Sequence, residues 1–137
     1  MSDFKNYDPS KVIVTWRGIQ VLGPMDGTFV KAARSEDAFK MHIGAQGDVT
    51  RVRNRNKTGT VTVTLTQSSP TNDLFSAAVA EDEAFGTAIG PVMIKDLQGT
   101  TLVEGPFAWI RKPSDAEYAA DASGREWNID VSELFMN

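Results

Sequence analysis

The chain has 137 residues, 41% hydrophobic and 23% charged. That is the make-up of one ordinary globular domain over 1–137, with no apolar run near the ~20 residues needed to span a bilayer. It contains no cysteine and one histidine, His42, which excludes disulfides, thiolate nucleophiles, cysteine-ligated metals and every two-histidine metal site, and leaves any Ser–His–Asp triad dependent on that imidazole. The formal net charge is −4, a balance that repels nucleic acid backbones. The charge is unevenly placed: residues 31–57 hold seven basic and three acidic side chains, and residues 70–104 one basic and six acidic. A basic stretch and an acidic stretch suit copies that meet head to tail; in a monomer they would be two solvated faces.

Residues 1–7 lack the basic start and apolar run of a secretory signal, so the product is expected to stay in a cytoplasm unless something carries it out. Over 11–16, Val12, Val14 and Trp16 fall on one side, which predicts a strand. Arg17-Gly18 breaks it before a second strand over 19–22, and Asp26-Gly27 is a turn signal ahead of a strand over 28–32. Phe39, Met41 and Ile43 alternate around His42, which predicts a half-buried strand position for the imidazole. Over 49–54 the alternation points Arg51, Arg53 and Arg55 one way. Asn56-Lys57-Thr58-Gly59 reads as a turn, with Gly59 free to adopt a left-handed backbone. In the next run Val61, Val63 and Leu65 oppose Thr60, Thr62, Thr64 and Thr66, so the two runs together predict a long polar-faced hairpin. The strand over 60–66 carries no charge, and its edge needs cover from elsewhere in the chain or from another subunit.

Ser69-Pro70 is a cap followed by proline in the first helical turn, and Leu74, Phe75, Ala78 and Val79 make an apolar stripe. The predicted helix covers about residues 70–80. It should stop near Ala80, because Glu81, Asp82 and Glu83 would meet the negative end of the helix dipole. Gly86-Thr87-Ala88-Ile89-Gly90 has neither the Lys-Ser/Thr of a phosphate loop nor dinucleotide spacing, and reads as a connection. Strands follow over 92–95 and 101–111, parted by Gln98-Gly99, the second bent at Gly105-Pro106. Ser114 and Glu117 have the spacing of a capping box for a short turn. Trp127, Ile129 and Val131 alternate with Glu126, Asn128 and Asp130 in a last, acidic-faced strand. Trp16, Trp109 and Trp127 each sit in an alternating strand and are expected in the core. The resulting fold class is mainly β: a two-sheet antiparallel sandwich or open barrel with one flanking α-helix at about residues 70–80.

The chemical vocabulary is thin. Glu81-Asp82-Glu83 and Asp115/Glu117 have nothing apolar nearby to raise a pKa, so solvated surface is expected, with no catalytic residue, metal or cofactor. Arg51, Arg53, Arg55 and Lys57 could meet phosphates, yet no aromatic interleaves with them for base stacking. Contact with an acidic protein surface fits them better than a solvated hairpin does. A binding module of another class would use the tryptophans to hold a small ligand in a barrel mouth.

The order of features resembles a known family. Tyr7-Asp8-Pro9-Ser10-Lys11-Val12 is followed by Asp26-Gly27-Thr28-Phe29, Ser35-Glu36-Asp37-Ala38-Phe39 and Gly44-Ala45-Gln46-Gly47-Asp48-Val49-Thr50-Arg51. Then come Thr58-Gly59-Thr60-Val61-Thr62-Val63-Thr64-Leu65 and Gln67-Ser68-Ser69-Pro70-Thr71-Asn72-Asp73-Leu74. This resembles the small tail tube proteins of contractile-tailed phages, over about residues 7–131 and most specifically over 44–74. The resemblance implies a two-sheet β fold whose copies form hexameric rings, stacked into a tube that conducts DNA without binding it specifically. It implies a virion location, assembly in the host cytoplasm, no membrane binding by this chain, and the sheath protein, baseplate hub and tail terminator as partners. The tube of a tailocin or a type VI-like secretion machine would look similar.

On that reading Arg51, Arg53, Arg55 and Lys57, with Glu81, Asp82 and Glu83, are candidates for contacts between rings or subunits. The threonine face of Thr60, Thr62, Thr64 and Thr66 is the favoured lumen wall, with Glu126, Asn128 and Asp130 a second candidate.

Overall fold

The computed structural model describes residues 8–22, 29–100, 102–116 and 124–136. After a 3-10 turn, Pro9–Lys11, the chain enters β1 (Val12–Trp16) and returns through β2 (Ile19–Gln20). The two-residue turn has positive φ at both positions, 52° at Arg17 and 78° at Gly18, the twist such a hairpin needs. An arginine there is sterically costly. It is held by its amide, which donates to the Pro91 carbonyl at 2.9 Å, and by its guanidinium, 3.1 Å from Glu81.

Next come β3 (Val30–Arg34), β4 (Phe39–Ile43), β5 (Val49–Arg53), β6 (Gly59–Thr66) and the helix α1 (Thr71–Phe85). Four strands follow it, β7 (Gly90–Asp96), β8 (Leu102–Ile110), β9 (Gly124–Val131) and β10 (Phe135–Met136). Eight strands share one antiparallel sheet in the order β2-β1-β7-β8-β9-β6-β3, with β10 on β8, while β4 and β5 form a separate two-stranded sheet. The path does not close on itself; among the described residues it ends at β2 and β3.

The sheet bends within β8. Its first half pairs with β7 and β10, and its last residues with β9. Gly105 is required at the bend, since a Cβ there would collide with the Val131 side chain. Pro106 and Phe107 are both exposed, so the alternation slips by one residue. That slip explains a correction to the sequence reading: Trp109 leaves the core and lies half-buried on the outer face, opposite Asp130.

The inner faces of both arms of the sheet meet in one buried apolar cluster, with α1 against it. Trp16 from β1 and Trp127 from β9 both meet Phe75 of α1 edge-on, with ring centroids 5.7 and 5.4 Å apart. Each indole N–H finds an acceptor at 3.0 Å, the Ala108 carbonyl for Trp16 and Asn72 Oδ1 for Trp127. Asn72 donates in turn to the Thr66 carbonyl at 2.8 Å, fastening the helix start to the end of β6. These tryptophans are packed against a helix, and they line no barrel mouth.

Ser69 Oγ accepts from the Thr71 amide at 3.3 Å, with Pro70 already helical. The helix does not stop near Ala80. It continues to Phe85 and ends on Gly86 at φ 68°. The acidic run is tolerated because Arg17 pairs with Glu81 and the Asp82 carboxylate accepts the Ala88 amide just past the end, at 3.4 Å.

The predicted hairpin of the arginine and threonine runs does not form. β5 pairs with β4, whereas β6 lies between β3 and β9, so its edges are covered within the chain. Two successive Asx turns make the link a connector: Asn54 Oδ1 accepts the Asn56 amide and Asn56 Oδ1 the Thr58 amide, each at 3.0 Å. Gly59 is needed for close approach, not for a left-handed turn, because a Cβ would run into Leu134. The Asp26-Gly27 turn and Glu117 of the expected capping box lie outside the described residues; Ser114 accepts instead from Arg125 Nε at 2.9 Å.

Candidate assembly interface

Every residue of β4 and β5 is exposed. On one face of this ribbon Phe39 stands opposite Arg53, Met41 opposite Arg51, and Ile43 opposite Val49. Met41, Ile43 and Val49 are 69%, 60% and 63% exposed. His42, expected to be half-buried, is exposed on the other face opposite Thr50, since neither face of the ribbon packs on the core. The root is tied down by the Asn54 amide on the Ala38 carbonyl, 2.8 Å, and by the Asn54 side chain on Glu36, 2.7 Å. That hydrogen bond, helped by Lys40, holds the Glu36 carboxyl below the ordinary glutamate range. A two-stranded ribbon with no buried face is marginal in water by itself, so its apolar side chains call for a partner surface.

The four basic candidates do not share one strand face. Arg51 and Arg53 do, and the Arg51 guanidinium stacks 3.8 Å from the Phe39 ring centroid. Arg55 and Lys57 fall in the connector, yet Arg53, Arg55 and Lys57 converge with Asn54 and Glu133 around a cleft of about 380 Å³. Among the acidic candidates, Glu81 is engaged by Arg17 and by the Thr87 hydroxyl at 3.4 Å, and Asp82 by Ala88. Glu83 is exposed at the helix end.

Both lumen candidates lie on one surface. In register, Thr60 faces Asp130, Thr62 faces Asn128 and Thr64 faces Glu126, while Thr66 stands opposite Gly124. Thr62 donates to Asn128 Oδ1 at 3.0 Å, and Lys31 extends the same face from β3. Sequence reasoning missed Arg111, which forks onto Asp130 at 2.7 and 3.1 Å and reaches the Thr60 hydroxyl at 3.2 Å. Asp130 raises the pKa of Arg111 further, and the pair neutralises a charge the sequence left bare. Glu126 remains exposed. The centre of the face is therefore neutral hydroxyl and amide around the Arg111–Asp130 pair, with Lys31 and Glu126 as charges on either side. The other omission is the C-terminal segment: Leu134 is fully buried, its amide donates to the Lys57 carbonyl at 2.8 Å, and its carbonyl accepts from Arg34 Nε at 3.0 Å.

The model of the bacteriophage PhiTE tail tube protein family matches residues 22–136. The chain belongs to that family. No curated protein sequence matches it. Among solved structures it is similar to the sheath/tube terminator of an extracellular contractile injection system, PVC, in its extended state, at 10% identity over 99% of each chain with a TM-score of 0.64. It is also similar to the tube terminating cap of the anti-feeding prophage, at 10% identity over 100% of this chain and 94% of that one, TM-score 0.58. A chain of the PVC sheath–tube complex aligns at 13% identity over 96% and 91%, TM-score 0.63. At such identities the likeness is one of fold. The tail tube family makes this a structural protein of tube type, a component of a phage tail.

Proposed function

We propose that this chain is the repeating subunit of a phage tail tube. Six copies close into a ring, rings stack head to tail, and the lumen conducts DNA during ejection. The observation that carries this reading is a sheet that, among the described residues, is left open at β2 and β3 in a chain of the tail tube family. Open margins present unpaired N–H and C=O groups, and strands from neighbouring copies satisfy them by continuing the sheet into a barrel. The face of Thr60, Thr62, Thr64, Asn128 and Glu126 supplies the lumen wall, where small uncharged hydroxyl and amide groups and the Glu126 carboxylate, which repels phosphates, let a polyanion slide without adhering. The subunit carries no catalytic role. It meets sheath, baseplate hub and terminator in a tail assembled in the host cytoplasm.

A second reading has a specific observation behind it: a terminator and a tube terminating cap share this fold, at TM-scores of 0.64 and 0.58, as does a chain of the sheath–tube complex at 0.63. A terminator makes one ring and stops. Sedimentation of the purified protein over rising concentration separates the two. Open-ended growth is expected of a tube subunit, a single ring species of a terminator, and a persistent monomer would contradict both.

A further inference from the structure

The outer face of the other arm of the sheet, away from the threonine face, holds a groove of about 540 Å³. Its floor is a single row of cross-strand partners spanning four strands, Thr15 on β1, Met93 on β7, Glu104 on β8 and Phe135 on β10. Pro91 and Pro106 add apolar walls. Glu104 is the one charged residue lining it; it is exposed and has no ion pair among the described residues. A carboxylate between a methionine and a phenylalanine is poorly placed for an isolated surface. It is well placed to meet a cation arriving on an apolar carrier.

The ribbon of β4 and β5 is such a carrier. Its Phe39, Met41, Ile43 and Val49 share a face with Arg51 and Arg53. Its strands of five residues are roughly 17 Å long, and a floor of four adjacent strands is about 14 Å across. We propose, building on the tube reading, that this groove is the seat for the β4–β5 hairpin of a second copy of the chain. Met41, Ile43 and Val49 cover Met93, Pro106 and Phe135, while Arg51 or Arg53 closes on Glu104. The contact is heterologous, one surface meeting a different one, so each copy offers both a hairpin and a seat and the contact repeats from copy to copy along a stack of rings.

The native chain has no cysteine, so engineered thiols report without background. A Met41→Cys, Met93→Cys double variant, polymerised and mildly oxidised, is expected to give a ladder of disulfide-linked oligomers on denaturing gels. Each single variant, and Met41→Cys paired with Thr62→Cys on the opposite face, should give none. Tubes that form without the ladder, or a ladder from the Thr62 pair instead, overturn the docking and leave the tube reading standing. A wild-type chain that never polymerises removes both. Should the double variant fail to assemble, charge reversal decides. Glu104→Arg is expected to abolish sedimenting polymer, and Arg51→Glu or Arg53→Glu in the same chain to restore it. Assembly undisturbed by Glu104→Arg, or rescued by neither, overturns the docking.

Discussion

Asn72 shows how much one polar side chain can carry. It accepts from Trp127 and donates to the Thr66 carbonyl, so helix, last long strand and threonine strand share one buried junction. Asn72→Ala removes both links and leaves the indole N–H without its acceptor at a fully buried site. The expected loss is about 1–3 kcal/mol, measured as a lower midpoint in urea unfolding; an unchanged midpoint would show that the junction is dispensable. Nothing in the sequence marks this residue, because an asparagine in a first helical turn is as easily a solvated one. Leu74 and Phe75 were both legible as apolar, yet only Phe75 is buried. Arg111 was missed for the same reason: its partners Thr60 and Asp130 are remote in sequence and come together only through strand pairing.

At the level of elements, period-two alternation located the long strands and the Gly-Pro pair located the bend at Gly105-Pro106, since both are local properties of the chain. Pairing is not local. β5 precedes β6 directly, and a turn-rich link invited a hairpin, but β6 is claimed by β3 and β9 and buries Val61, Val63 and Leu65 in the core. The helix end was misjudged because the ion pair that relieves its acidic run comes from Arg17, on the far side of the sheet order. The ribbon that results has no packing of its own on the core, which separates its role in assembly from its role in folding. Replacing Arg51, Arg53 and Arg55 together by Ala should therefore shift the thermal midpoint by no more than a few °C, about what three surface substitutions do, while reducing polymer recovered by sedimentation. A triple variant that polymerises like the wild type would remove these cations from the interface.

For the whole molecule, the organising fact is an eight-stranded sheet whose ends, among the described residues, stay unpaired, together with an exposed apolar ribbon. Neither feature suits a monomer at the concentrations of a cell; both suit a piece of a larger wall. Cryo-electron microscopy of the protein concentrated alone tests this most directly. Hollow tubes of stacked six-membered rings are expected, with sheet hydrogen bonding continuous from one subunit to the next and Thr60, Thr62 and Thr64 facing the lumen. Particles that remain single subunits at every concentration, with β2 and β3 bare to solvent, would contradict the tube reading.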